Sequence, residues 1–348
     1  MKLQYDRFTI HPRVPFAIAR STTTEYRRVR VRLSDQQGGG HEGWGEAAPN
    51  IFYSESDETV VDALQHLAPI VEAAGAPASL EAIAELEDVM RSKRPGDASA
   101  RSAVSAAAHD LFGKRLGAPL WKLFDVEPMR SPPSSFTIVI STNEGELLRR
   151  VEDAHAYPIL KVKLGSDRDE WIVRTVRRAA PNKLLRADAN GAWDVPRATR
   201  MAAFLADNGF ELLEQPLPRD DIAGFRALKP HSPLPIIADE SCMTSRDIPA
   251  LDGAVHGINI KLSKCGGLAE ARRMATEARR RDLRVMLGCM IESSLGITAA
   301  AHLAPLVDYA DLDGAALLSD DPYVGATIDD GVIRLPGEPG LGVKSRSS

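Results

Sequence analysis

Lys163, Asp188, Glu214, Asp239 and Lys264 follow one another at intervals of 25, 26, 25 and 25 residues, each at the end of a short apolar run. A strand, a helix and two short loops occupy about 25 residues, so the interval predicts consecutive βα units of a parallel sheet. The runs 159–164, 184–187, 211–213, 235–238 and 257–262 are the predicted strands. Ile138, in the run 136–140, lies 25 residues before Lys163, and the period continues after Lys264 through 285–290 to 309–313, which makes eight strands. Eight units predict a β/α barrel, in which residues at the carboxyl ends of separate strands meet at one mouth.

The residue types suggest a chemistry. Three carboxylates from successive strands make an all-oxygen site for a hard divalent cation, Mg²⁺ by preference, with positions open to water or substrate. Lysines end the strands on either side. Taken singly, each residue has an ordinary explanation: an aspartate at a strand end caps the next helix, Glu214 is a surface charge, and Lys161 or Lys163 snorkels at an edge. Agreement of five residues in type, order and phase favours the site.

Lys161-Val-Lys163, Asp188-Ala-Asn190, Glu214-Gln-Pro216, Asp239-Glu240-Ser241 and Lys261-Leu-Ser-Lys264-Cys-Gly-Gly267 together resemble the enolase superfamily, and within it the muconate-lactonising branch. The resemblance covers nearly the whole chain, because Gly43-Trp-Gly-Glu46-Ala is similar to the family's capping domain. It implies an α/β fold, a modified TIM barrel of (β/α)7β type with an N-terminal α+β capping domain. The expected divisions are 1–125 for the cap, 126–320 for the barrel and 321–348 for a segment returning to the cap. It also implies Mg²⁺ on Asp188, Glu214 and Asp239, with Lys163 and Lys264 as acid/base groups and Lys161 beside them at the substrate. Proton removal α to a carboxylate, through an enediolate, is the implied chemistry. Bases on opposite faces racemise or epimerise.

Asp311-Leu-Asp313 sets two carboxylates on one face of the eighth strand, an arrangement that suits an ammonium group. Dipeptide epimerases of the resembled superfamily carry Asp-X-Asp there for the substrate's α-ammonium. Arg20 lies in a polar loop, 15–24, where the L-Ala-D/L-Glu epimerases place an arginine against the glutamate side chain; arginine suits such a carboxylate. The expected function is therefore a Mg²⁺-dependent dipeptide epimerase acting at the α-carbon of the C-terminal residue. L-Ala-D/L-Glu in cell-wall peptide recycling is the best guess. A muconate-type cycloisomerase, an N-acylamino acid racemase or an o-succinylbenzoate synthase is the alternative on this scaffold, and none needs the acidic pair. A non-catalytic descendant would have lost a ligand or a base, whereas all five residues are present.

The remaining features agree. A chain of 348 residues with 44% apolar content accommodates a barrel of about 200 to 250 residues and a smaller domain. A net charge of -5 without a basic run offers nothing to nucleic acid or an anionic membrane. With no signal pattern and no long apolar stretch, the expected location is the cytoplasm. Cys242, Cys265 and Cys289 form no CxxC pair and read as buried filler. Oligomers are common in the resembled family, which makes a homo-oligomer the expectation by analogy.

Three β segments open the chain at 3–9, 27–33 and from Gly43, followed by helical patterns at 58–74, 80–91 and 98–116, the last apolar almost all round. Barrel helices are expected at 168–180, 196–208, 221–228, 245–251, 268–281 and 295–304. Lys261 and Lys264 are three apart and do not share a face in a regular strand. Ile51 and Tyr53 are expected on the cap's other wall, Glu292-Ser293-Ser294 carries no assigned role, and 344–348 reads as disordered.

Overall fold

The computed structural model describes residues 1–35 and 40–346. It opens with β1 (Lys2–Ile10), the hairpin β2 (Phe16–Ile18) and β3 (Ser21–Thr23), then β4 (Tyr26–Ser34) and β5 (Glu42–Ala47). Strands β1, β4 and β5 form an antiparallel sheet in that order. The stretch 15–24, expected as a loop, is the hairpin, with Phe16 paired to Thr23, Ile18 to Ser21, and Arg20 at the turn. Pairing satisfies backbone groups that an open loop would leave to water.

Helices α1 (Asp57–Ala74), α2 (Leu80–Lys93) and α3 (Ala98–Leu116) complete the cap. Ser56 and Ser79 cap the first two by accepting from backbone amides one turn on. Every residue of α3 from Ser99 to Phe112 is buried. It lies so close to β5 that a Cβ on Gly43 or Gly45 would collide with the carbonyl oxygens of Ala107 and Ala103. After α4 (Leu120–Leu123) the chain enters the barrel.

Strands β6 (Phe136–Ile138), β7 (Ile159–Lys163), β8 (Leu184–Asp188), β9 (Phe210–Glu214), β10 (Ile236–Ala238), β11 (Gly257–Ile260), β12 (Arg284–Gly288) and β13 (Tyr309–Asp311) form one parallel sheet in sequence order. Between them lie α5 (Glu144–Asp153), α6 (Asp169–Ala179), α7 (Val195–Asp207), α8 (Ile222–Leu228), α9 (Ile248–Leu251), α10 (Leu262–Cys265), α11 (Leu268–Arg279) and α12 (Ser294–Ala301). Seven intervals carry helix and, among the described residues, none follows the eighth strand, so the architecture is (β/α)7β. The ring is sealed just before β6: Ser134 bridges Ala310 in parallel, and the Ser135 amide donates to the Ala310 carbonyl at 3.1 Å.

Alternation along the strands sets the two faces. Leu160, Val162, Leu185, Ala187, Leu213 and Ala238 pack outward into the core shared with the helices. Leu212, Ile237, Met286 and Tyr309 form a separate buried cluster. Two residues beyond Leu212, Ile237 and Tyr309 stand Glu214, Asp239 and Asp311, so on these three strands the interior face leads to an acid at the mouth. The single 26-residue interval has its own explanation. Leu185 pairs with Phe210 but Arg186 pairs with Leu212, so Glu211 is an extra, bulged residue in β9. Asp188 is thereby level with Glu214, as Lys163 is with Asp188.

Several boundaries differ from expectation. The sixth strand stops at Ile260, and Lys264 stands in the one-turn helix α10 rather than at a strand end. The fifth barrel helix is only Ile248–Leu251, because the Asp247 carboxylate takes the amides of Met243 and Thr244 into a turn ahead of it. Strand β13 ends at Asp311, leaving Asp313 beyond it. The tail adds β14 (Tyr323–Val324), β15 (Thr327–Asp329), β16 (Val332–Arg334) and β17 (Lys344–Ser345). Lys344 and Ser345, expected to be disordered, pair with Val324 and Tyr323, while residues 347–348 lie outside the described residues.

Contacts between cap and barrel are charged and capped. Glu87 of α2 accepts the Ala269 and Glu270 amides at the start of α11, each at 3.0 Å. Glu46 of β5 does the same for α12, accepting the amides of Ser293 at 3.1 Å and Gly296 at 3.2 Å. Asp110 of α3 takes the Trp44 and Leu341 amides, joining sheet, helix and tail. No helix among the described residues is long and apolar enough to cross a membrane.

Candidate active site

Arg20 comes from the hairpin, Lys264 from α10 and Asp313 from just past β13, the other six lie in or directly beside the barrel strands, and all nine come together at the mouth beneath the cap. Register places Lys163, Asp188 and Glu214 in a row across three neighbouring strands, roughly 5 Å apart from strand to strand. Lys163 Nζ donates to Asp188 Oδ2 at 2.7 Å. On the far side, Lys264 Nζ donates to Asp239 Oδ1 at 2.6 Å and to the carbonyls of Asp239, Asn259 and Cys242 at 2.5, 3.0 and 3.1 Å. Lys261 joins it, reaching Asp239 Oδ2 at 2.8 Å. The two do not share a regular strand: Lys261 is the extended N-cap of α10 and Lys264 lies in its turn, which folds back so that both ammonium groups reach Asp239.

Lys161 occupies the centre. Its ammonium lies 2.7 Å from Glu214 Oε2, 3.2 Å from Asp188 Oδ2 and 2.7 Å from Asp311 Oδ2. Burial disfavours its charge, yet Asp311, Glu214 and Asp188 outweigh that and hold its pKa well above the usual lysine value. Burial also works against the ionised aspartates; Lys163 and Lys161 reverse it at Asp188, and Lys261 and Lys264 at Asp239, holding both below the usual carboxylate range. Glu214 goes the other way, pushed up by burial and by the Asp188 charge.

These acids fit a hard divalent cation by their chemistry: three fully buried carboxylates with only oxygen donors. Glu214 Oε2, although 2.7 Å from Lys161, is outside hydrogen-bond geometry with any group, and Asn190 Oδ1 and Asn259 Oδ1 are also buried without partners. A carboxylate destabilised by its acidic neighbours gains from added positive charge. Among the described residues no three such side chains already form a closed ligand cage; ammonium groups stand between them.

Asp311 and Asp313 meet the first barrel strand at the ring's seam. Ser135 Oγ donates to Asp311 Oδ1, and the Thr137 amide to Asp313 Oδ2, both at 2.6 Å. Asp313 is pushed up to about 7 by burial and the neighbouring Asp311. A cavity of about 260 Å³ is lined by the hairpin, by Ile51 and Tyr53, and by Lys161, Lys163, Asp239, Asp311 and Asp313. Arg20 reaches it from the hairpin turn, donating through Nη2 to Glu240 Oε1 at 2.6 Å and through Nη1 to the Asn190 carbonyl at 2.8 Å.

Several site residues were not singled out from sequence. Asn259 Nδ2 donates to Glu214 Oε1 at 2.8 Å, and Gln215 Oε1 accepts the Asp239 amide at 2.8 Å. Gln215, Asn190 and Glu240 adjoin the ligands inside the quoted motifs, a usable signal. Asn259 is two before Lys261, on the same strand face, with no motif to mark it. Glu292 sits near Glu46, and burial raises the pKa of both. Of the cysteines, Cys242 and Cys265 are buried and Cys289 partly so, all as free thiols.

A capped (β/α)7β barrel whose mouth gathers three carboxylates between lysines defines an enolase-type enzyme. Residues 5–124 match the model of the mandelate racemase/muconate lactonizing enzyme N-terminal domain, and residues 144–347 match that of the enolase C-terminal domain-like family. The chain belongs to the mandelate racemase/muconate lactonizing enzyme family. It is 38% identical to the L-Ala-D/L-Glu epimerase of Bacteroides thetaiotaomicron, over 99% of this chain and 88% of the relative. It is 36% identical to a hydrophobic dipeptide epimerase of a Flavobacteria bacterium, over 98% and 97%. Among solved structures, a dipeptide epimerase from Enterococcus faecalis complexed with Mg and L-Leu-L-Tyr superposes with a TM-score of 0.91 at 29% identity, covering 99% of both chains.

Proposed function

We propose that this protein is a Mg²⁺-dependent dipeptide epimerase that inverts the α-carbon of the C-terminal residue. The observation that carries the reading is one mouth holding two lysines on opposite sides of a carboxylate row, with a second acidic pair alongside. Asp188, Glu214 and Asp239 are the residues to hold the metal; when bound, it offsets negative charge developing on the substrate carboxylate. Lys163 and Lys264 take the proton from one face and return it to the other. Asp311 and Asp313 bind the α-ammonium, a group that the cycloisomerase, acylamino acid and succinylbenzoate alternatives do not present. Lys161, paired to Asp311, holds that carboxylate in place beside the ammonium end of the substrate.

L-Ala-D/L-Glu is the first substrate to test, on the strength of the relatives and of Arg20 at the cavity. A cytoplasmic, homo-oligomeric enzyme completes the proposal, by family likeness. The test is proton NMR of L-Ala-L-Glu with protein and Mg²⁺ in D₂O. Loss of the glutamate α-proton signal with growth of the L,D diastereomer is the expected outcome; no exchange across a panel of dipeptides rejects the reading.

A further inference from the structure

Arg20 has a protein partner before any substrate arrives. Glu240, 2% exposed, holds its Nη2, the Asn190 carbonyl holds its Nη1, and the Phe52 ring lies 3.9 Å from its guanidinium carbon. Asn190 Nδ2 also donates to Glu240 Oε1, at 3.3 Å, which ties the pair to the barrel. Glu240 Oε2 is buried and without a partner, so a carboxylate is locked behind the arginine.

We propose that Glu240 is a specificity-determining residue: it masks the charge of Arg20, so the pocket accepts uncharged C-terminal side chains as well as acidic ones. The proposal rests on the dipeptide epimerase reading and concerns the same site. A substrate carboxylate approaching Arg20 meets an ion pair with no net charge, and the Glu240 anion close behind opposes it. The pair also fixes the guanidinium, so little rotamer freedom is lost on binding. Among the described residues no acceptor meets the Arg20 Nε–H, and the side chain is 30% exposed, which leaves a donor for an acid. Ile51, Tyr53, Met290 and Ile291 are among the residues lining the cavity and suit apolar side chains. Acids are admitted without being required.

The experiment compares kcat/KM for L-Ala-L-Glu and L-Ala-L-Leu in the Mg²⁺-loaded wild type, Glu240→Gln and Arg20→Gln. Masking predicts wild-type values within about tenfold of each other. Glu240→Gln keeps an acceptor for Nη2 while removing the opposing charge, so it raises the Glu/Leu ratio about tenfold, about 1.4 kcal/mol. That gain shrinks with added salt. Arg20→Gln lowers the ratio. Mg²⁺ titration of Glu240→Gln by calorimetry, expected to match wild type, separates the effect from damage to Asp239. A wild type preferring L-Ala-L-Glu more than a hundredfold overturns masking even if the variants fail to fold. So does a Glu240→Gln ratio that stays unchanged, or equal losses on both substrates. A wild type that epimerises neither dipeptide rejects the parent reading instead.

Discussion

Among the described residues Lys163 has one acceptor and Lys264 four, so the two proposed bases are unequally held. Replacing either with alanine is expected to reduce epimerisation at least about a thousandfold, with exchange of the α-proton surviving from one diastereomer only. Deuterium incorporation followed separately from L-Ala-L-Glu and L-Ala-D-Glu reads this. Asp313→Asn is expected to raise KM for dipeptides by tenfold or more while leaving Mg²⁺ affinity unchanged, measured by initial rates and calorimetry. At this scale the sequence marked the acids and lysines because interior residues at strand ends recur at a fixed interval. It did not mark the partner of Arg20. Glu240 lies 220 residues away, and such a contact leaves no local pattern.

Elements carry the positions those residues need. The bulge at Glu211 uses the extra residue of the 26-residue interval to bring Glu214 level with Asp188, and Arg186 holds it by an ion pair of 2.8 Å to Glu211. Deleting Glu211 is expected to leave a regular β9 in which Leu212 follows Phe210 opposite Arg186 and Glu214 stays level with Asp188, so Mg²⁺ binding, measured by calorimetry, survives, whereas deleting Leu213 turns Glu214 to the other face and abolishes it. In the cap, Gly45→Ala presses a methyl into the Ala103 carbonyl and is expected to destabilise by about 2 kcal/mol, measured by urea denaturation. The eight strands were legible because their apolar runs share one period, and α3 because its alanines are apolar all round. Illegible was α10. Four residues cannot display a helical period, and Leu262 continues an apolar strand run, so only tertiary packing ends β11 at Ile260.

The whole molecule behaves as cap and barrel joined through charged caps on helix ends. Glu46 shows the consequence for pH. Burial and the nearby Glu292 charge push its carboxyl up from 4.5 to about 7, so the folded chain keeps a proton that the unfolded chain releases. Stability from this group therefore falls as pH rises from about 4.5 to about 7, and the penalty is complete above that. Glu292→Gln removes the like charge, and the drop in unfolding free energy between pH 5 and pH 8, measured by urea denaturation, is expected to shrink by on the order of 1 kcal/mol. Sealing of the ring has a further effect. Ser135 and Thr137 meet Asp311 and Asp313 across 176 residues of chain, whereas Lys163, Asp188 and Glu214 are brought together by adjacent βα units. Contacts so distant form late in folding. A chain caught with its first and last barrel strands apart would have Lys163, Asp188 and Glu214 in place without the contacts that hold Asp311 and Asp313, so the proposed ammonium site is the last part of the mouth to form.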